Sequence, residues 1–226
     1  MWNWTENQIE LYLIRHGMTL GNVEHRYIGR QTDEPLSEDG RQQLEKRKDQ
    51  WAQVCRTWDM PYVFVSPMLR CRQTAEILFP QIPQIEIDPW REMDFGEFEG
   101  KNYIELQKNP NYQAWIESNG TLPFPGGESR EAFIKRCEQG FYRMLIGIKG
   151  RLQKMDEKQP ASKITAGAVV HGGTIMAILS SFYGGDYFDH QVKNGGGYRC
   201  LLSGTREQPK LQGVENIMGE SERVIP

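Results

Sequence analysis

The chain has 226 residues, 38% of them hydrophobic and 25% charged, which supplies enough apolar material for a core and excludes wholesale disorder. Lysine and arginine number 27 against 30 for aspartate and glutamate, so no global positive field exists to hold a nucleic acid backbone. No apolar run approaches the roughly 20 residues needed to cross a bilayer.

The start, Met1-Trp-Asn-Trp-Thr-Glu6, lacks the basic flank and apolar stretch of a secretory signal, so the cytoplasm is the expected location. Next, Ile9-Glu-Leu-Tyr-Leu-Ile14 is a short apolar-rich run that stops at Arg15-His16-Gly17, the pattern of a buried strand delivering polar groups at its carboxyl end. Pro35-Leu-Ser37-Glu-Asp-Gly40 supplies a serine N-cap with two acids in the first turn. Leu44, Trp51 and Cys55 follow at helical spacing, predicting a helix to about Arg56. Tyr62-Val-Phe-Val-Ser66 reads as a second strand, and Ser66-Pro67 as an N-cap followed by proline at the first helical position, opening a helix to about Phe79 that carries Arg70 near its start. Gln84-Ile-Glu-Ile-Asp88 alternates as a third strand.

Between Glu97 and Ser129 the pattern changes: prolines and glycines punctuate short amphipathic pieces bearing Tyr103, Tyr112, Trp115 and Phe124. This stretch reads as an insertion over a site, its aromatics serving either to stack on a ligand ring or to close the loop as a satellite cluster. Ser129 then caps a long helix whose Phe133, Cys137, Phe141, Met144, Leu145 and Ile148 mark one apolar face. Ile164–Val170 ends at His171-Gly172-Gly173 ahead of another helical run, repeating the grammar of the first junction. Tyr198-Arg-Cys-Leu-Leu202 makes a last strand, and the tail from Pro209 has little pattern. Cys55, Cys71, Cys137 and Cys200 are scattered, without metal or redox spacing, and read as reduced core thiols.

Alternating strands and helices predict an α/β fold, a three-layer α/β/α sandwich with a mainly parallel central sheet, residues 1–226 forming one domain with a short lid at about 97–129. Sites in such sheets lie beyond the carboxyl ends of the strands. His16, Arg70, Glu92 and His171 each follow a different strand, so they are expected to converge on one rim. A neutral imidazole there can attack an electrophile. A phosphoryl group would suit Arg15, Arg70 and a protonated His171, because its charge spreads over three oxygens that need positive donors. Glu92, in Trp90-Arg-Glu-Met-Asp-Phe-Gly96, is suited to protonate a leaving alkoxide if burial raises its pKa. Carboxylates and second histidines with ligand spacing are lacking around His16 and His171, so no metal is expected. His25 and His190 lack a strand-end setting and read as surface or structural residues.

Leu11-Tyr-Leu-Ile-Arg-His-Gly-Met-Thr-Leu-Gly-Asn22 resembles the opening signature of the histidine phosphatase superfamily, the phosphoglycerate mutase-like proteins. Further matching pieces come in the family's order: Tyr27-Ile-Gly29, Asp33-Glu-Pro-Leu-Ser37, Ser66-Pro-Met-Leu-Arg-Cys-Arg-Gln-Thr-Ala75, Glu92 with Gly96 and Glu99-Gly100, Pro125-Gly-Gly-Glu-Ser129 and Val169-Val-His-Gly-Gly173. The resemblance implies that His16 is the nucleophile forming a phosphohistidine, that Arg15, Arg70 and His171 bind the transferring group, and that Glu92 is the general acid. Asn22 matches a polar phosphate-pocket position, Thr19 belongs to the same loop, and Gly172 offers a backbone amide. No cofactor is implied, and the partner is a small phosphate monoester. Met18 and Trp90 depart from the family's usual Glu or Gln and Leu.

The pattern is closest to the cofactor-independent small phosphatases such as α-ribazole phosphatase-like members. Residues 97–129 carry only Lys101 and Lys108 as bases against five glutamates, a poor clamp for a bisphosphate. A phosphoglycerate mutase and a non-catalytic phospholigand-binding module are the competing readings.

Overall fold

The computed structural model describes Trp4 and residues 9–55, 60–153 and 164–217. In chain order these form β1 (Ile9–Arg15), α1 (Leu20–Val23), α2 (Glu38–Cys55), β2 (Val63–Val65), α3 (Leu69–Leu78), β3 (Gln84–Glu86), α4 (Tyr103–Leu106), α5 (Pro110–Glu117), α6 (Arg130–Leu152), β4 (Ile164–Val170), α7 (Gly172–Phe182), β5 (Gly197–Gly204) and β6 (Pro209–Ile217). Short 3-10 turns occupy Asp88–Trp90, Gly96–Phe98 and Tyr187–His190.

The strands make one six-stranded sheet in the order β3-β2-β4-β1-β5-β6. The first four positions run parallel, and β5 lies antiparallel to β1, with Leu11 opposite Cys200. Both faces are covered, and the period of two along each strand sorts the side chains between them. Leu11, Leu13, Ala166, Ala168 and Val170 pack with Phe141, Met144, Ile148, Ile175 and Ile178 of α6 and α7. Tyr12, Ile14, Val63, Val65 and Val169 pack instead with Leu44, Trp51, Cys71, Ala75 and Leu78 of α2 and α3. This is the three-layer α/β/α arrangement with a mostly parallel sheet. Each fully buried aliphatic or aromatic side chain in these layers contributes on the order of 1.5–3 kcal/mol.

Several local expectations hold. Ser37 Oγ accepts from Gly40 N at 3.0 Å at the start of α2, and Ser129 Oγ accepts from Ala132 N at 3.1 Å at the start of α6. Cys71, Cys137 and Cys200 are buried free thiols; Arg56 and the Cys55 side chain lie outside the described residues.

Three expectations change. The tail is not patternless: Pro209–Ile217 pairs antiparallel with β5 as an edge strand, its alternation blurred by an irregular register near Arg199 and Leu201. The third strand stops at Glu86, and Asp88-Pro-Trp90 turns as a 3-10 helix. Ser66 is not the helix cap, since α3 begins at Leu69 behind Met68.

The 97–129 segment is tied down at both ends. Glu97 N donates to Pro125 O at 2.8 Å and Glu128 N to Asp94 O at 3.0 Å. A Cβ on Gly96, which sits at φ +52°, would lie 2.2 Å from Pro125 O, so only glycine permits this approach. Above the clamp, Phe98, Tyr112, Trp115 and Phe124 are buried in one aromatic cluster, with Trp115 and Phe124 rings 4.9 Å apart, whereas Tyr103 is exposed.

Candidate active site

The parallel strands deliver their following residues to one rim, as the strand-end rule requires. His16 N extends the β1 ladder by donating to Val170 O at 2.9 Å, and the His16 and His171 rings face each other with centroids 5.3 Å apart, edge to face. Glu92 Oε2 stands 3.5 Å from His171 Nδ1. Arg70, in the first turn of α3, is 1% exposed and donates to Thr32 O and Gly29 O at 3.2 and 3.4 Å. Arg15 donates from Nη1 to Val192 O at 2.7 Å. Its buried Nε has no acceptor and lies beside Gly172, the first residue of α7.

The protonation states follow from the contacts. His16 Nδ1 is 2.7 Å from Gly17 O, and a carbonyl can only accept, so Nδ1 carries the proton and Nε2 keeps its lone pair. Burial, with Arg70 and Arg15 adding repulsion, holds His16 well below the usual imidazole range. His171 is held neutral in the same way, by burial first and then by Arg70, His16 and Arg15. An imidazolium at this position would be desolvated among cations, so the expected protonated His171 depends on an anion to offset Arg70 and Arg15. Glu92 moves the other way. Burial raises its pKa, and the pull of Arg70, the Met93 amide and Arg15 does not cancel that rise.

Thr19 and Asn22 flank this centre on the loop after β1. Thr19 is buried and caps α1, its Oγ accepting from Asn22 N at 3.2 Å. Asn22 Oδ1 accepts from Thr19 N at 3.2 Å and Asn194 Nδ2 at 3.0 Å, which leaves its Nδ2 as the group available to a ligand. His25 is exposed, and His190 is buried with Nε2 donating to Gly184 O at 2.7 Å, a structural role. Among the described residues no group of three or more His, Cys, Asp or Glu side chains is placed to hold a metal ion. No helix there is long and apolar enough to cross a membrane.

Four supporting residues escaped the sequence reading. Ser66 Oγ is 2.8 Å from His171 Nε2, and the Cys71 sulfur lies 3.6 Å from the same nitrogen. Burial pushes the Cys71 thiol up to about 12, so it is no rival nucleophile. Asn194 also donates to His16 O at 3.1 Å. Arg136 grips the acid's segment, donating to Pro89 O and Arg91 O at 2.7 Å each and to Glu92 O at 3.3 Å, while Glu128 holds it from the other side. Ser66 read as a helix cap because Ser-Pro commonly opens a helix. Asn194 and Arg136 carry no local signal, since the site backbone they hold lies more than 40 positions away.

A model of the histidine phosphatase superfamily, branch 1, matches residues 11–214. A Bacillus subtilis (strain 168) protein described as the uncharacterized phosphatase PhoE is 30% identical over 176 residues, 77% of each chain. A 2,3-bisphosphoglycerate-dependent phosphoglycerate mutase 2 of Gloeobacter violaceus is 29% identical over 181 residues, 75% of this chain and 73% of that one. Among solved structures, the alpha-ribazole phosphatase from Shigella flexneri shares the fold at a TM-score of 0.64 and 24% identity, over 94% of this chain and all of that one. A phosphoglycerate mutase from Thermus thermophilus gives 0.60 at 28% identity, over 93% and 99%.

Proposed function

The chain belongs to the histidine phosphatase superfamily, and from that premise we propose that it is a phosphatase hydrolysing small phosphate monoesters through a phosphohistidine on His16, without a metal. The observation that carries this reading is the pairing of an imidazole whose Nε2 must be unprotonated with a carboxyl of raised pKa across the same rim.

In the first step His16 Nε2 attacks phosphorus, the P–N bond forms, and the bond to the ester oxygen breaks as Glu92 gives that oxygen its proton. Arg15, Arg70, His171, Asn22 and the Gly172 amide hold the phosphoryl oxygens, and the orphaned Arg15 Nε gains its acceptor there. Thr19 acts by capping the loop that carries Asn22. An arriving phosphate dianion offsets the cationic repulsion that adds to burial in keeping His171 neutral, so the imidazole can then donate to a phosphoryl oxygen. In the second step Glu92, now a carboxylate, takes a proton from water as its oxygen attacks phosphorus. Inorganic phosphate leaves and neutral His16 is restored.

A mutase would return the phosphoryl group to a bound anionic acceptor and needs further cations to hold it. Residues 97–129 carry two bases, Lys101 and Lys108, against five glutamates, which favours water as the acceptor. Phosphate release from p-nitrophenyl phosphate near about pH 6 with excess EDTA tests the proposal. Wild type is expected to turn over and to yield an acid-labile, alkali-stable phosphoenzyme, and His16→Ala to do neither. Turnover retained in His16→Ala refutes it, and efficient phosphoglycerate interconversion by wild type moves the chain to the mutases.

A further inference from the structure

Beside Glu92 and Gly173, and therefore next to the phosphoryl site, lies a cavity of about 170 Å³. Its walls are mostly apolar: Phe95, Trp115, Leu122, Phe124, Met176 and Phe188. The volume is slightly more than that of a roughly 150 Å³ protein cavity known to take up benzene. Among the described residues Arg130 is the one basic side chain lining it. Its Nη2 donates to Gly120 O at 2.6 Å and Asn119 O at 3.0 Å, and its guanidinium lies 4.8 Å from the Phe188 ring centroid. Trp115, about nine-tenths buried, contributes its ring to the wall.

We infer that this cavity is the leaving-group subsite and that it selects monoesters of apolar, ring-bearing alcohols over small hydrophilic ones. The inference rests on the phosphatase reading, and it names the substrate class that the same site prefers. A ring held here sits against the carboxyl that must protonate the ester oxygen, so apolar contact orients the bond to be broken.

Two pairs of probes with similar alkyl leaving groups separate the inference from its premise. Benzylphosphonate and ethylphosphonate, which cannot be hydrolysed, report the subsite by calorimetry; benzyl and ethyl phosphate report the chemistry through kcat/KM. Wild type is expected to bind the benzyl phosphonate about tenfold or more tightly than the ethyl one, from the apolar area covered. Leu122→Glu, at a position 47% exposed and therefore tolerant of a charge, is expected to collapse that ratio. Equal affinities in wild type, or a ratio unchanged in the variant, overturn the subsite. Hydrolysis of both phosphates without a benzyl preference, together with equal phosphonate affinities, leaves the phosphatase reading standing and sinks the inference. A benzyl preference in binding with neither phosphate turned over upholds the subsite and refutes the phosphatase reading.

Discussion

Replacing Glu92 by glutamine separates its proton from its shape. Glutamine can still accept from Met93 N, which now bonds Oε1 at 2.9 Å, and it adds nothing toward Gly173, whose added Cβ would lie 3.1 Å from Oε1. The segment is also held from outside by Arg136, so the backbone has no reason to move. What disappears is a proton donor. General acid catalysis contributes about 10²–10⁴-fold, equivalent to roughly 3–5 kcal/mol of barrier. That loss is expected in kcat/KM for an alkyl ester, whose alkoxide leaves poorly. It should shrink below about tenfold for p-nitrophenyl phosphate, whose phenolate leaves unaided. The pH profile gives the same discrimination. Burial raises the Glu92 pKa, so the acid form is present below the raised value, and alkyl-ester activity falls as pH climbs through it. In Glu92→Gln this alkaline limb vanishes. Steady-state kinetics on both esters across pH decide the matter. Equal losses on the two substrates, or an unchanged limb, would refute Glu92 as the acid.

Arg136→Met removes the grip on Pro89, Arg91 and Glu92 carbonyls and leaves Glu128 partly buried without its partner; a stability loss of order ~2 kcal/mol in urea titration is expected. The alkyl-ester kcat should fall more than KM rises, because the acid is displaced rather than the phosphate pocket. Gly140→Ala places a Cβ 2.3 Å from Trp90 Nε1 and 2.5 Å from Cδ1 of the same fully buried ring. Overpacking of about 1–3 kcal/mol should outweigh the gain of up to about 1 kcal/mol in helix propensity, lowering Tm. His16→Asn should lose less Tm than wild type on going from about pH 7.5 to about pH 5. The folded imidazole is held well below 6.5, so the unfolded chain binds more protons in that window and wild-type stability falls with pH; asparagine has no such term.

The layers of the fold were legible because burial imposes a period on the sequence. β1 and β4 are covered on both faces and read as near-continuous apolar runs, and α6 shows its core stripe from Phe133 to Ile148. The junctions Arg15-His16 and His171-Gly172 were legible for the same reason, since a buried run that ends in polar residues has to deliver them somewhere. β6 was hidden because an edge strand covered on few positions has no reason to alternate strictly: only Pro209 and Leu211 of its nine residues are buried. Ser66, Asn194 and Arg136 were hidden because their meaning is tertiary. Ser66 meets its imidazole 105 positions away and Asn194 its histidine carbonyl 178 away, and no local window spans those distances.

The charges around His16 explain why its two imidazoles rest neutral and the site is poised for an anion. Two guanidiniums, Arg15 and Arg70, approach two imidazoles in a volume shielded from water, and both imidazoles respond by staying neutral. Protonating either would add a third desolvated cation with only Glu92 to balance it, and Glu92 is itself shifted toward its neutral form. The unliganded site is therefore positive, with a buried Arg15 donor lacking an acceptor. A phosphate dianion meets both deficits at once: it supplies the acceptor and offsets the repulsion without having to displace an internal counter-ion. Burial and the two guanidiniums keep His16 unprotonated, and burial alone, against the pull of those guanidiniums, raises the Glu92 pKa toward that of an acid, so one buried rim sets acid, nucleophile and anion cradle together.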